Sequence, residues 1–139
     1  IADPGTESEV VTRLGRIDFD QVEGYLEGGI GSLAGHQDLT AAARIAVDRF
    51  ADHLKAHPGR FLLDVRNPNE FADGAMDDAV LIPLRDLAER IDEVPTDCHV
   101  AIYCGSGYRS AIAMGFLQAH GVSEMSDLVG GWSAWNSRA

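Results

Sequence analysis

Val100-Ala101-Ile102-Tyr103-Cys104-Gly105-Ser106-Gly107-Tyr108-Arg109-Ser110-Ala111-Ile112-Ala113-Met114-Gly115-Phe116-Leu117 passes from an apolar run through a glycine-bearing turn into a helical pattern. Strand, turn and helix start then enclose a single thiol. Backbone N–H groups at a helix start form an anion cradle, and the same cradle favours thiolate over thiol. Gly105 and Gly107 permit turn conformations and keep the mouth of the loop open. Arg109 adds a positive charge to a chain that is otherwise acidic. A cysteine after an apolar strand is, taken alone, as readily a small buried hydrophobe. Two glycines, an arginine and a helix start within six residues are not what a core cysteine needs. Cys98, in Thr96-Asp97-Cys98-His99, lacks these features and reads as structural, with His99 at the surface or at the start of a strand.

Outward from this stretch, 139 residues at 45% hydrophobic composition provide one globular core plus an appendage. The formal net charge of -11 disfavours nucleic acid and anionic membrane surfaces as partners. Two cysteines without repeated spacing give neither a disulfide framework nor a zinc site. A reducing, cytoplasmic compartment is the expectation. No stretch reaches the ~20 apolar residues of a membrane span. The chain starts on what reads as the end of a strand, without Met, which suggests a piece of something longer.

Along the chain, Val10, Val11, Leu14 and Ile17 follow helical spacing, with Thr6 and Glu9 as a capping box. Val22 to Leu26 reads as a short strand closed by Gly28-Gly29, and Gly31 to Leu39 as a linker. Arg44 to Val47 predicts a strand, and Asp48 the cap of a helix running to about Ala56, stopped by His57-Pro58-Gly59. Phe61 to Val65 suits a buried parallel strand with its functional end at Asp64 to Arg66. Ala79 to Pro83 is a weaker strand and Leu84 to Ile91 a short helix. Val100 to Tyr103 carries the cysteine, Ala111 to His120 is the next helix, Met125 to Leu128 the last strand, and Trp132 to Trp135 the closing helical turn. Alternating strands and helices imply an α/β domain with a largely parallel sheet flanked by helices. Ligands of such sheets sit at the carboxyl ends of the strands, where both Asp64 to Asn67 and Cys104 fall.

Four motifs occur in order: Leu63-Asp64-Val65-Arg66 with Glu70-Phe71, Ile82-Pro83-Leu84, Cys104 to Ser110, and Gly130-Gly131-Trp132-Ser133-Ala134-Trp135. With them, residues 43–139 resemble a rhodanese homology domain. The resemblance implies the rhodanese-like α/β fold and sulfane-sulfur transfer through a cysteine persulfide. It makes Cys104 the nucleophile, and Gly105, Ser106, Gly107, Tyr108, Arg109 and Ser110 the loop that holds the anionic substrate. Asp64, Arg66 and Glu70 match family positions read as mainly structural. One departure is Gly74-Ala75-Met76, where many members carry Gly-His and an apolar residue; local packing is what this puts in question. Rhodaneses close a six-residue loop around sulfur, whereas related cell-cycle phosphatases use seven, with five residues between Cys and Arg. Here four residues separate Cys104 from Arg109, which favours sulfur.

Shifting the chain on itself by 102 (131 minus 29) superimposes Gly28-Gly29 on Gly130-Gly131, Leu26 on Leu128, Leu14 on Phe116 and Gly5 on Gly107. Ala2 then stands opposite Cys104 and Glu7 opposite Arg109. Residues 1–35 therefore read as a partial, inactive rhodanese-like half-unit. Gly24-Tyr25-Leu26-Glu27-Gly28-Gly29 also resembles the inactive unit of fusions between a metallo-β-lactamase-fold persulfide dioxygenase and rhodanese domains, so an upstream dioxygenase domain is expected. The half-unit should pack its apolar helix face on the rhodanese core or on a second chain, as in a homodimer.

The resemblance implies a sulfurtransferase that takes sulfur from thiosulfate or a small persulfide and gives it to a thiol, sulfite or cyanide, with no metal or organic cofactor needed. Two other readings stay open: a redox-sensing or partner-docking module with little turnover, and a phosphatase or arsenate reductase using the same Cys-Arg loop.

Overall fold

The strand Val100–Tyr103 (β4) is buried along its whole length. Its period of two sends Val100, Ile102 and the following Cys104 into one apolar cluster, and Ala101 and Tyr103 into another. A strand apolar on both faces belongs inside a covered sheet. The computed structural model describes residues 2–16, 21–35 and 42–138. There β4 joins β1 (Ala43–Ile45), β2 (Phe61–Asp64), β3 (Val80–Leu81) and β5 (Met125–Leu128) in one parallel sheet of order β1-β5-β4-β2-β3.

Besides α1 (Glu7–Gly15), the helices are α2 (Val47–Ala56), α3 (Pro68–Ala72), α4 (Tyr108–Ala119) and α5 (Gly131–Asn136). On one face, Phe50 and Leu54 of α2 and Trp132 and Trp135 of α5 close over Leu62, Ala101, Tyr103 and Leu128. Phe50 meets Trp135 edge to face at 5.8 Å. On the other face, Ala113, Met114 and Leu117 of α4 cover Leu63, Val100 and Ile102. Cys104 thus emerges at the carboxyl end of the central strand, on the α4 side, with α4 starting four residues later. This α/β arrangement is the one expected.

Several local expectations change. The helix read from Ala111 begins three residues earlier, at Tyr108, so the cysteine turn is shorter. The segment read as a helix from Leu84 to Ile91 forms two short 3-10 helices, Leu84–Asp86 and Ile91–Glu93. Leu84 and Leu87 are three apart, a spacing that serves a 3-10 turn equally well. The strand expected from Arg44 to Val47 ends at Ile45; Ala46 is the N-cap of α2, and Asp48 lies inside the first turn rather than capping it. There its carboxylate still opposes the positive helix end. A helix at Pro68–Ala72 was not anticipated from the Glu70-Phe71 motif.

The chain divides into two compact units, Ile1–Ala41 and Ala42–Ala139. Thr6 is the N-cap of α1, but its hydroxyl donates to the Asp3 carbonyl at 2.7 Å instead of forming the box with Glu9. Val22 to Leu26 forms no strand; an isolated strand with no neighbour has nothing to bond. Gly29–Leu33, partly read as linker, is a 3-10 helix. Ile17 and the later part of the linker fall outside the described residues. Three glycines of this unit share backbone angles with their counterparts 102 residues on: Gly5 (φ 87°) with Gly107 (94°), Gly28 (80°) with Gly130 (79°), and Gly29 (61°) with Gly131 (58°). Among the described residues, no helix is long and apolar enough to cross a membrane.

Candidate functional site

Cys104 is fully buried at the floor of the loop, while Ser106 and Tyr108 are exposed and Gly105 and Arg109 half-buried at its mouth. The Gly107 N–H donates to Cys104 Sγ at 3.1 Å, and Ser110 Oγ lies 3.6 Å from the sulfur. Burial pushes the thiol up, but the amides of Ser110, Ser106 and Gly107 and the Ser110 hydroxyl outweigh it and hold the pKa below its ordinary 9.0. The loop is therefore built for a thiolate, the nucleophilic form.

The double glycine after β5 shapes this loop from outside. A Cβ on Gly131 would stand 2.3 Å from the Cys104 carbonyl oxygen and 2.8 Å from Ser106 N. Only a glycine there, at φ 58°, lets α5 touch the loop backbone. The first amides of α5 then bind it: Trp132 N–H to Cys104 O at 2.6 Å and Ser133 N–H to Gly105 O at 3.0 Å. The loop carbonyls are thereby turned toward α5, which leaves its N–H groups to face the sulfur.

Asp64 and Arg66 form a buried pair at the end of β2, with Arg66 Nη2 2.7 Å from Asp64 Oδ2. The same guanidinium donates to the carbonyls of Glu70 (3.0 Å) and Gly74 (2.7 Å) and lies 4.9 Å from the Trp132 ring centroid. Arg66 thus ties β2, α3 and α5 into one support and does not reach the thiol. Glu70 goes the other way. Its carboxylate takes both ends of the Arg109 guanidinium at 2.6 and 2.7 Å, and its pKa falls from 4.5 to about 2, chiefly through that bond. The pair lies against Gly105, where a Cβ would meet Arg109 Nη2 at 3.0 Å and Glu70 Oε1 at 3.3 Å. The positive charge expected at the loop mouth is therefore shared with a carboxylate.

Other participants escaped the sequence reading. Ser110 Oγ donates to Asp127 Oδ2 at 3.1 Å, and Asp127, fully buried, takes Arg44 Nε at 2.9 Å. Arg44 Nη2 also donates to the Gly107 carbonyl at 3.2 Å. Asp127 and Arg44 lie on neighbouring strands, far apart in sequence, and no motif marks them; an acid in the middle of a four-residue parallel strand was the available signal. The Gly74-Ala75-Met76 departure is also resolved. Met76 is buried, its N–H donates to the Tyr103 hydroxyl at 3.2 Å, and Gly74 lies under Trp132.

Residues 46–138 match the rhodanese-like domain family. Over 74 residues the chain is 40% identical to a sulfurtransferase of Allochromatium vinosum, covering 53% of this chain and 69% of that protein. It is 30% identical over 135 residues to a probable adenylyltransferase/sulfurtransferase, MoeZ, of Mycobacterium tuberculosis, covering 96% of this chain but 32% of that protein. Among solved structures, a rhodanese-related protein from Thermoplasma volcanium aligns with a TM-score of 0.63 at 30% identity, over 70% of this chain and 93% of that one.

Proposed function

The chain belongs to the rhodanese-like domain family, and from that premise we propose that it is a sulfurtransferase in which Cys104 carries the sulfur as a persulfide. The observation that carries the reading is the convergence of loop amides and the Ser110 hydroxyl on a thiol they hold below its ordinary pKa. The Cys104 thiolate attacks the outer sulfur of thiosulfate or of a small persulfide. The sulfur–sulfur bond of the donor breaks, and sulfite or a thiolate leaves with the electron pair. The new terminal sulfur is anionic, and the loop amides and the α4 N-terminus that favoured the thiolate stabilise it. An acceptor thiolate, sulfite or cyanide then attacks that sulfur and returns Cys104 as thiolate. Resting Cys104 is fully buried, so donor and acceptor reach it by way of the loop mouth, where Ser106 and Tyr108 are exposed.

Sulfur is favoured over phosphate because four residues separate Cys104 from Arg109 and an amide already lies 3.1 Å from the sulfur. Steady-state transfer from thiosulfate to cyanide by the full chain and by Cys104→Ser tests the reading, with an aryl phosphate assayed alongside. Turnover by the wild type alone, without phosphate release, is expected. Phosphate release that depends on Cys104 would replace the reading with the phosphatase one.

Residues 1–35 we read as the remnant of a second rhodanese-like unit. Three glycine pairs with matching φ support this, and so does a detail at the same offset: a Cβ on Gly29 would meet the Ala2 carbonyl oxygen at 3.1 Å, as one on Gly131 would meet that of Cys104. Ala2 and Glu7 stand where the active loop has Cys104 and Arg109, so the remnant has neither nucleophile nor guanidinium. An experimental structure in which residues 2–33 fail to superpose on 104–135 would remove the reading. The upstream dioxygenase rests on Gly24 to Gly29 alone, and the full gene sequence decides it.

A further inference from the structure

At the amino end of the sheet, opposite the thiol, three histidines meet. His53 lies in the last turn of α2, His57 is its C-cap, and His99 immediately precedes β4. One ring nitrogen of each lies within 4.8 Å of the other two, and all three side chains are half-buried. His53 Nε2 and His99 Nε2 are 3.2 Å apart, and each lies 2.9 Å from Ser126 Oγ on β5. The Ser126 side chain is fully buried. The His57 and His99 rings stack at 4.1 Å.

We propose that His53, His57 and His99 form a binding site for one divalent transition cation of the zinc class, remote from the Cys104 loop. Imidazole is the ligand type suited to zinc, copper and nickel. Tetrahedral zinc with bonds of ~2.0–2.1 Å sets its nitrogens roughly 3.3 Å apart, close to the 3.2 Å between the two Nε2 atoms. His57 Nδ1 donates to the His53 carbonyl at 2.9 Å. That bond fixes the tautomer with a free Nε2 lone pair and is the kind of supporting bond metal-bound histidines make. Without a cation the Ser126 hydroxyl can donate to one ring and accept from the other, so the empty triad is also satisfied.

The site is reachable. His57 and His99 line a solvent-open depression with Gly59, Arg60, Cys98 and Glu124, and a water or carboxylate can approach the cation from that side. Arg60 is the opposing charge there, and its Nη1 is bound to the Leu54 carbonyl at 3.1 Å. The four strand residues Val100 to Tyr103 separate His99 from Cys104, five residue steps or about 16 Å at ~3.3 Å per step, so the two sites are chemically independent. Cysteine spacing gave no zinc site in the sequence. These ligands come from α2 and from the start of β4, and only the fold brings them together.

The test is calorimetric titration of the chelator-treated full chain with zinc, repeated with cobalt to read ligand type from its absorption. One equivalent should bind, with a cobalt spectrum free of sulfur-to-metal charge transfer. Affinity should fall more than ~10-fold in His57→Ala, since losing even a supporting partner costs about that much, and should be unchanged in Cys104→Ser. His53→Gln provides a second variant, and circular dichroism verifies the folding of each. No stoichiometric binding, binding indifferent to both histidine variants, or binding abolished by Cys104→Ser would each overturn the proposal.

Discussion

Cys104 carries its chemistry because its neighbours donate to sulfur, and Ser110 is the neighbour with most to lose. It contributes an amide, and its hydroxyl, which in the resting thiol form accepts from Cys104 Sγ at 3.6 Å and gives its one proton to Asp127 at 3.1 Å, can turn that proton to the sulfur once the thiolate forms. Ser110→Ala keeps the amide and removes the hydroxyl. The pH midpoint of iodoacetamide alkylation at Cys104 should lie higher in this variant than in the wild type, because the hydroxyl that can turn its proton to the thiolate is gone while burial is unchanged. An unmoved midpoint would show that the amides act alone. At this scale the sequence was readable where residues are contiguous: a thiol, two glycines and a helix start declare their chemistry locally. It was silent on Asp127 and Arg44, whose relation to the loop exists only through strand pairing of β1 with β5.

Between elements, two contacts place the loop. Gly131 lets α5 seat against it; Gly131→Ala puts a Cβ 2.3 Å from a backbone oxygen at φ 58°. Left-handed backbone alone costs an L-residue about 1–2 kcal/mol, and the overlap adds to it. A loss of more than ~2 kcal/mol in urea unfolding, with reduced sulfur transfer by the folded fraction, is expected. The Glu70–Arg109 pair joins α3 to α4. Its carboxyl is held at about 2 instead of 4.5, so its contribution is complete above pH 4.5 and is lost as pH falls toward 2. Glu70→Gln should cost roughly 0.5–1 kcal/mol at neutral pH, because the pair is partly exposed, and should flatten the acid dependence in that window. Strands and long helices were legible because apolar periodicity is local. The failures share a cause: at Leu84 to Ile91 apolar spacing of three serves either helix type, and at Val22 to Leu26 β-propensity had no partner strand to satisfy.

For the whole molecule, the division at Ala41 and Ala42 separates a unit with a two-sided core from one in which, among the described residues, Gly29 alone is buried. Residues 42–139 should fold cooperatively by themselves and take up sulfur as the full chain does, since every group donating to Cys104 lies within them. Residues 1–41 alone should show no cooperative melt by circular dichroism. Alternating elements disclosed the parallel sheet, and four ordered motifs disclosed the family. The histidine triad was invisible for the converse reason, that its members belong to no motif and meet only across the folded sheet.

The central claim is that sulfur resides on Cys104, and intact-protein mass spectrometry after thiosulfate treatment, with peptide mapping under non-reducing conditions, reads it directly. One added sulfur on the Cys104 peptide, removed by cyanide and absent in Cys104→Ser, is the predicted result. An unmodified Cys104 with thiosulfate and with a small persulfide, or a sulfur found on Cys98 instead, would contradict it.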